Sequence, residues 1–273
     1  MTAPPGNSSH IRRETLTVAG RPVPVRLVAN ARARRVILKV DPVTREIVLT
    51  SPTARGFDKA LAFARTQESW IADRLGALPA PVPFVHGAAI PVRGAVHEIV
   101  HDRSAPARQR VQVRVRTEPT FAAMTTDLPL SGSADAQPVA APARLIVAGE
   151  AAHVSRRVSD WLKREARADL TAATLAHASA FGVRPARIAL RDTASRWGSC
   201  STTRVISFSW RLIFAPPAAL DYVAAHEAAH LVEHNHGARF WSLVRSRIAD
   251  IDSPVAWLKA NGHSLHRYGA SPK

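Results

Sequence analysis

Residues 226–241 read HEAAHLVEHNHGARFW, and the rest of the chain is organised around them. The stretch opens with H-E-x-x-H. On a helix, two histidines four apart lie on one face, about 6 Å apart along the axis. Their imidazoles can meet at one tetrahedral Zn²⁺, and Glu227 between them can hold a metal-bound water. With twelve histidines and nine glutamates in 273 residues, this pattern arises by chance in about one such chain in sixty. A third histidine in the right place raises its specificity.

His236 lies ten residues beyond His226. On one unbroken helix it would be about 15 Å away and on another face, so it can share the metal only if the helix ends first. Asn235 and Gly237 flank it, and both residue types tolerate left-handed backbone angles. Phe240, Trp241, Val244 and Ile248 then recur at helical spacing. The expectation is a metal helix over 217–232, a bend, and a second helix from near Gly237. His226, His230 and His236 are the predicted ligands. His234 would continue the stripe of an unbroken helix, but about 12 Å from His226, and is read as a surface residue.

Further residues carry a resemblance. Arg196-Trp-Gly-Ser-Cys200, Trp210-Arg-Leu-Ile-Phe-Ala-Pro216, Asp221-Tyr-Val, H-E-x-x-H-L and Asn235-His-Gly-x-x-Phe240-Trp241 resemble the YgjP-like metallopeptidases, bacterial zincins related to the SprT-like proteases. The likeness is tightest over 185–262 and looser over the N-terminal half. It implies that His226, His230 and His236 bind zinc and that Glu227 is catalytic. Ala228 departs from it, standing where the family more often has a larger aliphatic residue.

A chain of this length can bury a proper core. No apolar run approaches the ~18–20 residues of a membrane span. Met1 to His10 has no apolar core of a secretory signal. The single cysteine, Cys200, excludes an internal disulfide framework and fits a reducing compartment. The cytoplasm is the expected location. The net charge of +16 would attract polyanions, so nucleic acid enters as a possible partner. Yet only five of the 37 basic residues are lysine, the arginines are scattered apart from Arg32-Ala-Arg34-Arg35 and Arg108-Gln-Arg110 through Arg116, and no nucleic-acid-reading motif is present. Such a bias can reflect genome composition rather than a selected binding face.

The fold class expected is α+β: a small zincin-like core of long helix, short antiparallel sheet, HExxH helix and following helix, preceded by a β-rich region. The organisation reads as a disordered 1–10, a β-rich 11–116 with one helix, a flexible loop 117–143, a metallopeptidase domain 144–262 and a tail 263–273. Strands are predicted near 15–18, 23–28, 36–40 and 47–49, then 88–92, 96–101, 111–115 and 144–147. A helix over 58–77 carries Leu61, Ala64, Ile71 and Leu75 on one face, with Trp70 in its core contact. A long helix over 151–180 buries a stripe from Val154 through Leu170 to Leu175. His86, His97 and His101 are placed at exposed strand positions, His153 and His177 in solvent, and His263 and His266 in an unstructured tail.

Ile188 to Leu190 is a short strand, and Arg196 to Cys200 with Val205 to Trp210 a hairpin. Arg196 and Trp197 can line a substrate cleft, an edge strand holding an extended peptide by backbone pairing. An equally weighted reading makes the segment a turn with Trp197 and Cys200 buried. Tyr222, one turn before His226, is a candidate second donor to the oxyanion, against a buried role with its hydroxyl bonded to backbone. The function expected is a zinc peptidase of intracellular proteins, with one zinc per chain and a Glu227-assisted, zinc-bound water. The alternatives are a SprT-like protease of DNA-bound proteins, or a basic nucleic-acid-associated module with a non-catalytic zinc site.

Overall fold

The computed structural model describes residues 10–104, 111–114, 143–193 and 195–269. Residues 1–9 and most of the predicted loop, 117–142, lie outside them. The architecture is α+β, with two compact units: Met1–Pro81 with Lys259–Lys273, and Val82–Leu258.

In the first unit, strands β1 (Ile11–Val18), β2 (Arg21–Ala29), β3 (Ile37–Val40) and β4 (Ile47–Ser51) form a sheet in the order β1-β2-β4-β3. Ala19 and Gly20 turn the first hairpin with φ of 47° and 74°, as a two-residue loop matching strand twist requires. Period-two alternation puts Leu16, Val18, Val25, Leu27, Ile47 and Leu49 on one buried face. Helices α1 (Phe57–Thr66) and α2 (Glu68–Gly76) cover that face with Phe57, Ala60, Leu61, Ala64 and Ile71. The single helix expected over 58–77 is thus two, broken where Gln67 leaves helical angles at φ −103°, ψ 22°. Trp70 is 44% exposed rather than buried. Ile71 takes the core position, and its neighbour points about 100° away. The tail also differs from expectation. Gly262–Arg267 forms a 3₁₀ helix that buries Leu265 and His266, held by Arg267 Nε donating to the Ala80 carbonyl at 2.9 Å.

The second unit opens with β5 (Ala89–Val92), β6 (Ala95–Asp102), β7 (Val111–Arg114) and β8 (Ala143–Ala148), in the order β5-β6-β8-β7. His97 is buried, contrary to expectation, because it shares a face with Ile99. Its Nδ1 meets the Ala95 carbonyl at 2.8 Å. The long helix α3 (Val154–Ala180) buries Val154, Val158, Trp161, Leu162, Ala166 and Leu170. Continuing at helical period from Leu170, its stripe reaches Thr174, His177 and Ala178, whereas Leu175 is 46% exposed.

Strands β9 (Arg187–Arg191), β10 (Gly198–Cys200) and β11 (Val205–Ser209) form a small sheet in the order β10-β11-β9. It is mixed rather than wholly antiparallel: β10 runs antiparallel to β11, but β9 runs parallel to it. The two outer strands, β9 and β10, flank β11 on opposite sides. A buried 3₁₀ turn over Trp210–Phe214 then leads into α4 (Pro217–Ala229). Helices α5 (Ala238–Arg245) and α6 (Asp252–Asn261) follow. Among the described residues no helix is long and apolar enough to cross a membrane.

Candidate metal centre

Helix α4 starts with Pro217 at a first-turn position, where a missing N–H costs nothing. Most of its side chains are buried, on every face, which marks an interior helix rather than an amphipathic one. It packs between α3 and β10. The helix ends at Ala229, earlier than predicted. Leu231 and Val232 donate to the carbonyls of Ala228 and Ala229, the tighter three-residue spacing that often closes a helix. Gly237 N–H then bonds the Asn235 carbonyl at 2.8 Å. The expected bend is present but makes no use of the left-handed angles these residues tolerate. Gly237 is extended at φ −80°, ψ −173°, and neither it nor Asn235 has positive φ. The 3₁₀ bonds and this tight turn reverse the chain instead.

The reversal brings together the three histidines that the spacing selected. Ligand atoms of His226, His230 and His236 all lie within 4.8 Å of one another. The Nε2 atoms of His226 and His236 are 3.1 Å apart. Two nitrogens held ~2.05 Å from a tetrahedral ion would be about 3.3 Å apart. His230 Nδ1 meets the Glu233 carbonyl at 3.1 Å. That contact sets Nδ1 as the protonated nitrogen and leaves Nε2 with its lone pair for a metal. Buried Phe240 lies against all three rings, with centroids 4.6–4.9 Å away. Trp241 lies 6.0 Å from those of His226 and His236. His234 is exposed and outside the cluster.

Burial, with smaller contributions from His230 and His236, pulls the pKa of His226 down to about 4. Burial also lowers that of His230, against the Glu233 carbonyl. Both rings are therefore neutral near pH 7, the form a metal needs. Three imidazoles at this spacing fit a borderline-soft divalent cation.

Glu227 is 6% exposed, and burial pushes its carboxyl up to about 7 against the opposing charge of Arg196. Its Oε2 has no hydrogen-bond partner among the described residues. A cation at the histidines would favour its ionised form. Gly198 of β10 closes over this carboxylate so tightly that a Cβ there would lie 2.6 Å from Oε1. Arg196 is exposed and Trp197 half-buried. The Trp197 carbonyl accepts from Ser209 N–H at 2.9 Å, extending the β10–β11 pairing. Tyr222 is buried with its ring 5.9 Å from that of His226. Half-buried Cys200 is pushed up to about 11 by burial and by Glu227, so its thiol stays protonated.

Sequence reasoning missed a polar tie behind the cluster. His177, expected in solvent, is buried and donates from Nε2 to Asp221 of α4 at 2.8 Å. Its Nδ1 accepts from Arg247 Nε, just beyond α5, at 3.3 Å. Helices α3 and α4 and the segment that follows α5 are thereby joined. The cue was the helical period of α3, which places residue 177 on the buried stripe.

The family model for the YgjP-like metallopeptidase domain matches residues 34–261. No curated protein matches the chain. Among solved structures, the chain is similar to the metallopeptidase zymogen of Pyrococcus abyssi abylysin. The identity is 18% over 37% of this chain and 92% of that one, with a TM-score of 0.25. Because the family match spans most of the chain and includes all three histidines, the chain belongs to the YgjP-like metallopeptidase family.

Proposed function

We propose that the chain is a zinc peptidase of intracellular proteins, with one zinc per chain held by His226, His230 and His236 and with Glu227 as general base. The observation that carries this reading is the buried carboxylate of Glu227 beside three mutually adjacent imidazoles. A structural metal site has no need of a base held dry next to its ligands. When bound, zinc would supply a Lewis acid that polarises a peptide carbonyl and acidifies water. Glu227 takes a proton from the attacking water and returns it to the leaving amine, a role suited to a pKa near 7. Edge strand β10 offers its outer backbone groups to an extended peptide. Arg196 and Trp197 stand at the head of that strand as a cleft wall. Tyr222 is the candidate second donor to the oxyanion.

The test is hydrolysis of an unfolded protein by metal-loaded wild type and Glu227→Gln, read as new amino termini. The variant should retain its metal while turnover falls by roughly 10²-fold or more. Equal activity in the two proteins would remove the mechanism.

A further inference from the structure

Three of the arginines that look scattered in sequence, with one lysine, meet around a cavity that none of the three histidines lines. Lys163, Arg164 and Arg167 of α3 and Arg191 of β9 surround a cavity of about 450 Å³. Only one carboxylate, that of Asp192, lines it with them. That carboxylate is already engaged from beneath, by buried Arg211, whose Nε and Nη2 reach its two oxygens at 2.6 and 3.1 Å. Among the described residues, no carboxylate lies within ion-pair distance of Lys163, Arg167 or Arg191, and Arg164 has only Glu165 at 4.0 Å. Glu165 is also held by Arg93 at 3.0 Å. The cavity therefore presents four cations to solvent with no carboxylate free to answer them.

The position of this cavity gives the charge a direction. An adjoining cavity of about 340 Å³ shares Arg191 with it and is also lined by Arg196, Gly198 and Ser199. Gly198 is the residue in contact range of Glu227. A cationic track thus runs from the strand beside the candidate base, past Arg196 and Arg191, to the side of α3. Guanidinium groups bind carboxylates bidentately, and exposed cations grouped around a concavity reinforce one another.

We propose that this track binds an acidic stretch of the polypeptide substrate, so that the enzyme prefers bonds flanked by aspartate and glutamate. The inference rests on the peptidase reading for its location. Its chemistry is independent of the metal. An acidic peptide fits better than nucleic acid because Trp210, the aromatic lining the cavity, is 4% exposed and covered by Arg211 at 4.7 Å. No base can stack on it, and single-strand binding depends on such platforms.

The test uses full-length Glu227→Gln protein and three fluorescein-labelled probes. These are a peptide with a run of glutamates, the same peptide with glutamines, and an oligothymidylate of equal negative charge. The glutamate peptide should bind more tightly than the glutamine peptide, and Arg167→Glu/Arg191→Glu should weaken it about tenfold or more. A lysine version of the peptide should regain affinity for the reversed variant, a rescue that misfolding would not produce. Equal binding of the glutamate and glutamine peptides would overturn the proposal. So would tighter binding of the oligothymidylate, lost in the same variant. In metal-loaded enzyme with Glu227 intact, the ratio of kcat/KM for acidic over neutral peptides should fall in the reversed variant. Hydrolysis without acidic preference would sink this inference and leave the peptidase reading standing. Acidic binding with no hydrolysis of any peptide would sink the peptidase reading and leave the track.

Discussion

Position 198 accepts glycine alone, because any Cβ would fall 2.5 Å from Glu227 Cγ and 2.6 Å from Oε1. Gly198→Ala must displace either the edge strand or the carboxylate. Metal content should be unchanged while turnover falls by roughly 10²-fold, the scale of a misplaced catalytic group. Paired metal analysis and peptide hydrolysis check this. Glu227 also predicts a pH dependence in the metal-free protein. Its carboxyl has an ordinary value of 4.5 and is pushed up to about 7 by burial. The unfolded chain ionises first, so this group's contribution to stability is complete below about 4.5 and is lost as pH rises through about 7. His226, pulled down to about 4, acts oppositely: its contribution is present above its ordinary 6.5 and is lost as pH falls through about 4. Glu227→Gln removes only the first effect. With chelator present, urea unfolding should therefore show the variant gaining on wild type between about pH 4.5 and 7, by about 3 kcal/mol in total. A constant difference across that range would contradict the burial argument.

At the scale of elements, the reversal over 230–237 puts His236 rather than His234 beside His226 and His230, which makes it the proposed third ligand. His236→Ala should lose the metal or hold it much more weakly, whereas His234→Ala should keep one equivalent per chain. Metal analysis of protein made without a histidine tag distinguishes them, and the opposite result would exchange the two residues' roles. The sequence showed that the helix must break, since ten residues of straight helix would carry His236 about 15 Å away. It did not show how. Asn235 and Gly237 pointed to left-handed angles, but 3₁₀ hydrogen bonds and a tight turn did the work. Periodicity located most helices and strands, because burial of one face leaves its mark on neighbouring residues. Strand partners leave no such mark. The parallel pairings β2–β4, β6–β8 and β9–β11 join segments far apart in the chain and had no local signature. Polar residues on buried faces misled for the same reason. His177 and His97 read as solvated by type but lie inside by period.

For the whole molecule, the net charge of +16 far exceeds what the cations around Arg191 supply. Diffuse charge attracts polyanions by releasing counterions, and that attraction falls steeply with salt. Binding to duplex or single-stranded DNA should accordingly be weak, without sequence preference, and absent by about 150 mM salt. Sub-micromolar affinity at that salt, measured by anisotropy, would instead favour a protease of DNA-bound proteins. The aromatic wall of the histidine cluster has an optical consequence. Trp241 lies 6.0 Å from two of the imidazoles, which makes it a built-in fluorophore for the state of the centre. Closed-shell Zn²⁺ has no low-lying d–d transitions, so loading with zinc should leave its emission bright. Open-shell Cu²⁺ or Co²⁺ at the same three nitrogens should darken it. Titration with either ion should then dim part of the protein's tryptophan fluorescence and break sharply at one equivalent, with Trp241→Phe abolishing that component.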